Sequence, residues 1–277
     1  MKRIVTVQDI SCVGKCSLTV ALPIISAMGV ETAIIPTAVL STHTMFSGFT
    51  VKDLTDQVEP ICEHWKKEGF EFDAVYTGYL GSFEQIDLMK KMFEEFKTEK
   101  NLMFVDPAMA DNGKLYPAFD EAFAKHMGTL CAKADIIVPN MTEASFMTGI
   151  EYKENYDEAY AKEMLKALAA LGAKIAILTG VSFEEGMTGV MGYDSAADEY
   201  YYYSHKKHPV SYHGTGDIFS STCIGAMMNG MDWKDAVAVA ADYTSECIRV
   251  TCEDPNAITY GVNFEAVIPF LLKRIGK

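Results

Sequence analysis

Residues 213–228 read HGTGDIFSSTCIGAMM, and this segment carries the strongest indication of fold and chemistry in the chain. Glycines at positions 214 and 216 allow a tight turn that brings backbone N–H groups close to a ligand. The small and apolar residues that follow predict a buried helix. Backbone donors at the start of a helix, together with the helix dipole, favour anionic oxygens. The segment therefore predicts an anion-binding turn that leads into a buried helix.

Asp217 is the residue of this turn that could take part in chemistry. Beside a bound phosphoryl group, its carboxylate could accept a proton from an attacking hydroxyl. Stabilising the charge of the transferring group is the main demand of phosphoryl transfer, and the turn supplies donors for that charge. The motif alone leaves an alternative open, in which the glycines form an ordinary turn and Asp217 caps the helix.

Short apolar runs alternate with helical patterns through most of the chain. These runs are rich in β-branched residues and show little polar alternation; they lie at residues 3–7, 32–38, 74–77, 102–105, 135–138 and 175–179. Continuous apolar strands separated by helices indicate an α/β fold with a mostly parallel sheet. Residues 189–193 and 199–204 are tyrosine-rich and flank a polar turn, which predicts a hairpin near the sheet edge. No linker or repeat divides the sequence, so we expect one domain over residues 1–277.

Several local signals predict where helices begin and end. The predicted starts are Ser82 with Gln85, Asn155 with Glu158, and Asp232; the predicted ends are Gly172 and Asn229-Gly230. The starts combine a short polar side chain that can cap a helix with acidic or amide residues in the first turn.

Polar residues or glycines follow six successive predicted strands. They are Asp9; Ser41, Thr42, His43 and Thr44; Thr77, Gly78 and Tyr79; Asp106; Asn140 with Glu143; and Thr179 with Gly180. Ligands of open α/β sheets bind beyond the carboxyl ends of the strands, so this pattern predicts a site gathered at one rim.

Composition excludes several classes of protein. The formal charge of −14 over 277 residues argues against nucleic-acid binding, because an acidic surface repels phosphates. The seven cysteines form no CxxC pair, which favours reduced thiols in a cytoplasmic protein. No apolar stretch reaches the roughly 18 residues of a membrane span, and the N-terminus has no pattern of a signal peptide.

Two common nucleotide-binding motifs are also excluded. The segment from Asp9 to Cys16 resembles a Walker loop, but it has Asp at the first glycine position and Cys at the Ser/Thr position. The glycines at 214 and 216 are followed by Phe219 where a dinucleotide fingerprint requires a third glycine, and they lie late in the chain.

Taken together, these residues resemble the pyridoxal kinase branch of the ribokinase-like superfamily. The resemblance extends from Ile4 to about Cys252. Its anchors are Val7-Gln8-Asp9 with Gly14, Ser41-Thr42-His43-Thr44, Thr77-Gly78-Tyr79-Leu80-Gly81, Asp106-Pro107, Asn140 with Glu143, and Gly214-Thr215-Gly216-Asp217. The last motif marks the superfamily, while the combination with His-Thr and Thr-Gly-Tyr is specific to the vitamin B6 kinases. The resemblance implies a three-layer αβα sandwich.

The resemblance also implies an activity and a set of site residues. The family transfers a phosphoryl group from ATP to the 5′-hydroxymethyl group of pyridoxal, pyridoxine or pyridoxamine, with Mg²⁺ and often a monovalent cation such as K⁺, and it suggests a homodimer. Carried over, Asp217 is the base; Gly214, Thr215 and Gly216 form the anion hole; Asp9, His43, Thr44 and Tyr79 bind the acceptor; Asp106, Asp111, Asn140, Glu143 and Thr179 bind ATP; and Asp106 and Glu143 act on the metal through water.

Two positions depart from the family pattern. Many members have Ser where this chain has Asp9, and a carboxylate beside the pyridine would favour a cationic partner, which makes pyridoxamine attractive. Gly180 stands where a hydroxyl residue is common, so a contact to phosphate would be lost.

Two competing functions are also considered. One keeps the fold and changes the acceptor to hydroxymethylpyrimidine, another flat heterocycle with a hydroxymethyl arm; His43-Thr44 and Thr77-Gly78-Tyr79 favour the pyridine kinases. The other is a module that binds B6 vitamers or nucleotides without turnover, and the presence of Asp217, Asp106 and Glu143 argues against it.

Overall fold

The computed structural model describes the whole chain, residues 1–277, as two compact units. The first unit combines Met1–Asp73 with Lys207–Lys277, and the second consists of Ala74–Lys206. The single domain over residues 1–277 stays a prediction. None of the helices has both the length and the hydropathy that crossing a membrane requires.

Strands and helices alternate along most of the chain. The strands are β1 (Arg3–Ser11), β2 (Glu31–Leu40), β3 (Val51–Asp53), β4 (Ala74–Thr77), β5 (Leu102–Val105), β6 (Ala110–Asp111), β7 (Lys114–Leu115), β8 (Ile136–Ile137), β9 (Ile175–Val181), β10 (Met187–Asp194) and β11 (Glu199–Lys206). The helices are α1 (Leu18–Ala27), α2 (Thr55–Lys67), α3 (Phe83–Phe96), α4 (Glu121–Cys131), α5 (Met141–Thr148), α6 (Glu158–Ala170), α7 (Thr215–Met228), α8 (Trp233–Glu253) and α9 (Phe264–Arg274).

The first unit contains β1 to β3 together with five of the helices. β1 pairs with β2 in parallel, with Arg3 opposite Glu31, and β2 pairs with β3 antiparallel. β1 is buried along most of its length, as its continuous apolar run predicts. Helix α7 is buried from Ile218 to Ala226 and packs against α1 and α8. The predicted buried helix after the glycine turn is therefore confirmed.

The second unit contains the rest of the sheet strands. Their order is β11-β10-β9-β8-β5-β4, with parallel pairing from β4 to β9. β10 and β11 pair antiparallel at the end of this order, so the edge hairpin is confirmed. β6 and β7 form a separate two-stranded hairpin, which the sequence patterns did not predict. The α/β class with a mostly parallel sheet is thus confirmed.

Most predicted helix boundaries are confirmed, and one is wrong. Ser82 and Asp232 each accept a hydrogen bond from the backbone N–H three residues later, at the starts of α3 and α8. Helix α7 ends at Asn229. The predicted start at Asn155 is wrong, because Asp157 caps α6 by accepting from the N–H of Tyr160.

Asp135 is a buried carboxylate that ties the second unit together. It accepts hydrogen bonds from the backbone N–H of Met103 (2.8 Å), from Lys97, and from Lys174, whose Nζ lies 2.7 Å from Oδ1. Burial acts to raise the pKa of Asp135, but the hydrogen bonds from Lys174 and Lys97 outweigh it, so this pKa lies below its usual value. The folded state therefore favours the ionised carboxylate.

We predict that Asp135→Asn destabilises the chain at pH 7 by about 1–3 kcal/mol, because buried donors lose a charged acceptor. A depressed folded-state pKa stabilises the fold above the unfolded value of about 3.9, and this stabilisation is lost as the pH falls through the folded-state pKa. The difference between variant and wild type should therefore shrink below about pH 4 in urea titrations. Asp157→Asn is the matched control, since Asn caps a helix as well as Asp does. A difference that is the same at pH 7 and pH 3 would contradict this account.

Candidate active site

Each unit contains one group of the predicted site residues. The first group, in the first unit, consists of Asp9, His43, Thr44, Gly214, Thr215, Gly216 and Asp217. The second group, in the second unit, consists of Tyr79, Asp106, Asp111, Asn140, Glu143 and Thr179. Tyr79 therefore belongs to a different unit from the other three residues predicted to bind the acceptor.

Helix α7 begins at Gly214, which has the left-handed backbone conformation (φ +80°). A Cβ atom on this residue would lie 1.9 Å from the carbonyl oxygen of Lys15. The turn is thus pressed against residues 11–17, an approach that only glycine permits. No side chain caps the helix, so the first-turn N–H groups have no side-chain acceptor at the cap position. An anion is the natural partner for such donors.

Asp217 lies in the first turn of α7, three residues after the cap, and is half-buried. The alternative in which Asp217 caps the helix is wrong, because the cap residue is Gly214 and it receives no side-chain hydrogen bond. Cys16 lies near this carboxylate: burial and the charges of Asp217 and Asp9 raise the pKa of its thiol to about 12. The thiol is therefore protonated at neutral pH, and it does not compete with Asp217 as a base.

Asp9 is almost fully buried, with 5% of its surface exposed. Its Oδ1 accepts a hydrogen bond from the hydroxyl of Ser17 (2.5 Å), and its Oδ2 accepts one from the hydroxyl of Ser11 (3.2 Å). Burial raises the pKa of the Asp9 carboxyl, although both serines act to lower it. The two serines orient the group, and they are partners that sequence reasoning missed because no motif marks them.

His43 contacts both the 11–17 segment and the turn before α7. Its backbone N–H donates to the carbonyl of Val13 (2.8 Å), and its ring Nδ1 accepts from the backbone N–H of Met45 (3.1 Å). Its ring centroid lies 4.8 Å from that of His213. Burial and the neighbouring His213 lower the pKa of His43, so its ring is neutral at pH 7. Sequence reasoning missed this contact of His213, and the adjacent Thr44 is exposed.

In the second group, Asn140 and Glu143 form a capping box at the start of α5. The Asn140 Oδ1 accepts from the N–H groups of Thr142 and Glu143 (2.8 and 2.9 Å), and the Glu143 Oε2 accepts from the N–H of Asn140 (2.8 Å). The spacing Asn-x-x-Glu is a known helix-start signal. A structural role for both residues was therefore readable from the sequence, beside the predicted contacts with ATP.

Glu143 also forms a pair of buried carboxyl groups with Asp106, and Glu143 is the more deeply buried of the two. Both are buried, and burial together with the charge of Asp106 raises the pKa of Glu143 well above its usual value. A cation beside the pair would relieve this repulsion. No cluster of three or more His, Cys, Asp or Glu side chains that could hold a metal occurs in the chain. Two carboxylates suit Mg²⁺, which usually keeps water and phosphate oxygens as its other ligands.

The hairpin formed by β6 and β7 is attached to the start of α5. The Asn140 Nδ2 donates to the carbonyl of Ala110 (2.8 Å), and the N–H of Gly113 donates to the Thr142 hydroxyl (3.0 Å). Asp111 lies at the tip of this hairpin, exposed, and accepts from the backbone and side chain of Asn112. Thr179 joins the same region through a parallel bridge with Asn140. Thus Asp111, Asn140, Glu143 and Thr179 are brought together.

Tyr79 follows β4 and is half-buried. Its ring centroid lies 5.6 Å from that of Phe119, with an angle of 39° between the rings. Sequence reasoning missed Phe119, since it belongs to no recognised motif.

We predict that Gly214→Ala destabilises the chain by at least about 2 kcal/mol, because alanine disfavours the left-handed conformation and its Cβ meets a backbone oxygen. Gly216→Ala is the matched control for stability, because a Cβ there would contact nothing within 4 Å. It should be neutral or stabilising by up to about 1 kcal/mol, as expected for Gly→Ala within a helix. Chemical denaturation of both variants measures the difference, and equal midpoints would contradict the close packing at Gly214.

Comparisons with known proteins show similarity to kinases over most of the chain. A Bacteroides thetaiotaomicron protein described as a phosphomethylpyrimidine kinase, solved in a crystal form with pyridoxal, is 38% identical to this chain and has a TM-score of 0.92, covering 98% of this chain and 95% of its own. Pyridoxal kinase from Lactobacillus plantarum is 30% identical with a TM-score of 0.90, covering 99% and 97%. Pyridoxal kinase from Dictyostelium discoideum is 25% identical over 80% of this chain and 77% of its own.

The α/β fold, the uncapped glycine start of α7 with its carboxylate, and these likenesses define a small-molecule kinase, a phosphotransferase, of the ribokinase-like class. The family model for phosphomethylpyrimidine kinase matches residues 22–263. The chain belongs to this family.

Proposed function

We propose that the chain phosphorylates the 5′-hydroxymethyl group of a B6 vitamer (pyridoxamine, pyridoxal or pyridoxine) with ATP as the donor. One observation carries the proposal: an uncapped helix start with a carboxylate in its first turn, packed against the segment that holds Asp9. The similarity to a protein solved with pyridoxal supports the choice of acceptor.

Asp217 is the proposed general base. It takes the proton of the acceptor hydroxyl as the oxygen approaches the γ-phosphorus in line. The backbone amides that follow Gly214, Thr215 and Gly216 form the anion hole and stabilise the negative charge of the transferring group. The burial of α7 holds these donors in place before the reaction, so they need no reorganisation during it.

The second group is proposed to bind the nucleotide. Asn140 and Thr179 contact the phosphates, and Asp111 lies near them. The second amide hydrogen of Asn140 is the available donor, since the first bonds Ala110. Asp106 and Glu143 would hold Mg²⁺ through water, and this ion would neutralise phosphate charge when bound. The raised pKa of Glu143 supports this role, because a neighbouring cation lowers the cost of its ionisation. The monovalent cation and the homodimer stay predictions.

Asp9, His43, Thr44 and Tyr79 are each proposed to bind the acceptor. The Asp9 carboxylate, oriented by two serines, contacts the pyridine or one of its substituents. The neutral ring of His43 offers its Nε2–H as a donor, because Nδ1 already accepts from Met45. The ring of Tyr79 lies against the flat heterocycle.

We predict that the wild-type chain forms ADP with at least one B6 vitamer and that Asp217→Asn lowers kcat by about 10²–10⁴, the usual loss for a general base. The control is Asp56→Asn, an exposed carboxylate of α2 in the same unit, which should keep full activity. Wild-type activity that survives Asp217→Asn would remove the proposed base. No ADP formation with any vitamer would overturn the proposed function.

Hydroxymethylpyrimidine is the second candidate acceptor, favoured by the name of the matching family model. It is also a flat ring with a hydroxymethyl arm, so the same base and anion hole would serve. Including it in the panel, with kcat/KM compared across the four acceptors, separates the two functions. The non-catalytic module would be indicated by tight binding of a vitamer and ATP without any turnover.

We predict that Asp9→Ser lowers the preference for pyridoxamine over pyridoxine about tenfold or more, the scale of a hydrogen bond to a charged group. The reason is that pyridoxamine carries a cationic aminomethyl group that a carboxylate favours. Ratios of kcat/KM for the three vitamers provide the measurement. Ser17→Ala is the control, because it removes a partner of Asp9 but keeps the charge. An unchanged preference in Asp9→Ser would refute this role for the carboxylate.

A further inference from the structure

A row of aromatic rings in the second unit leads from Tyr79 to the surface. Tyr79 contacts Phe119, whose ring stacks on that of Phe123 with centroids 4.0 Å apart and an angle of 8°. Phe83 contacts the edge of Phe123 at 5.5 Å and lies 5.3 Å from the ring of His126. Phe123 lies on α4 and is 2% exposed, so core packing fixes the position of its ring.

Phe119 is held on two sides. Its ring lies flat on the buried Phe123. Its backbone N–H donates to the carbonyl of Tyr116 (2.9 Å), and the N–H of Tyr116 donates to the carbonyl of Met109 (2.9 Å). Both the ring plane and the chain position of Phe119 are therefore held by contacts with its neighbours.

Tyr79, by contrast, lies in a glycine-rich segment with few side chains that could pack against its ring. Its neighbour Gly78 has no side chain, and a Cβ added to Gly81 would only reach ordinary contact with Tyr79 Cε1, at 3.7 Å. The N–H of Gly81 donates to the Gln85 side chain (2.7 Å), which anchors the segment. The ring of Tyr79 contacts that of Phe119, with centroids 5.6 Å apart. Offset aromatic pairs of this kind have preferred orientations.

We propose that Phe119 is a positioning residue that orients the ring of Tyr79 and thereby contributes to the selection of a flat aromatic acceptor. This inference rests on the proposed function, in which Tyr79 lies against the acceptor ring. Phe119 acts through Tyr79 and touches no reacting atom. Its effect should therefore appear in the binding of the acceptor and not in the chemistry of transfer.

The test is a double-mutant cycle of Phe119→Leu and Tyr79→Leu, with KM for acceptor, KM for ATP and kcat measured for each variant. Phe119→Leu should raise the KM for the acceptor about fivefold to tenfold, the range of one aromatic pair, with KM for ATP and kcat close to wild type. In the Tyr79→Leu background, Phe119→Leu should have no further effect on the KM for the acceptor. Phe119→Tyr, which keeps the ring, should restore it.

Phe83→Leu is the matched control, because Phe83 contacts the far edge of the same row, is 45% exposed, and should leave the KM for the acceptor unchanged. If Phe119→Leu does not fold, Phe119→Met takes its place, since a flexible side chain fills the space without a ring.

Two results would overturn the inference alone: an unchanged KM in Phe119→Leu, or an effect that persists at full size in the Tyr79→Leu background. A wild-type chain that turns over none of the four acceptors would instead overturn the proposed function, and this inference with it.

Discussion

The contact between the start of α7 and the carbonyl of Lys15 is the constraint on which the first group of site residues depends. It requires a residue without a Cβ at position 214, in a conformation that only glycine adopts readily. Because the turn lies so close to residues 11–17, the carboxylates of Asp217 and Asp9 both act on the thiol of Cys16. Close backbone packing therefore determines the local electrostatics.

The charges explain how an acidic chain could accept a polyphosphate. The formal charge is −14, which disfavours long-range attraction of an anion. Attraction would have to be local, and under the proposed function the N–H groups at the start of α7 would supply it. Burial raises the pKa values of Asp9 and Glu143, so a nearby cation would stabilise the ionised form of each carboxyl. A cation beside Asp106 and Glu143 would offset the negative charge of these carboxylates and of a bound phosphate.

Features that depend on a local sequence pattern, such as strands and helix caps, could be predicted from the sequence. The strands at 74–77 and 102–105 match β4 and β5 because buried parallel strands are continuous apolar runs. Caps at Ser82 and Asp232 followed from side chains next to apolar stripes. Asn155 with Glu158 predicts a helix start, but Asp157 caps α6, since both residues are good caps and only the fold selects between them. Asp9 pairs with Ser17 across the segment that follows β1, and His43 pairs with His213, which is distant in sequence; no periodicity marks either pair.

The contacts that hold each part of the site differ in strength, and this difference predicts where relatives vary in the acceptor that they bind. The start of α7 is fixed by backbone packing, and the start of α5 is fixed by a capping box that also orients Glu143. A change at either position would weaken its helix start. The segments around His43 and Tyr79 are held instead by a few hydrogen bonds and by ring contacts. Such contacts can be exchanged at small cost in stability, and differences in acceptor between relatives are therefore expected to arise there.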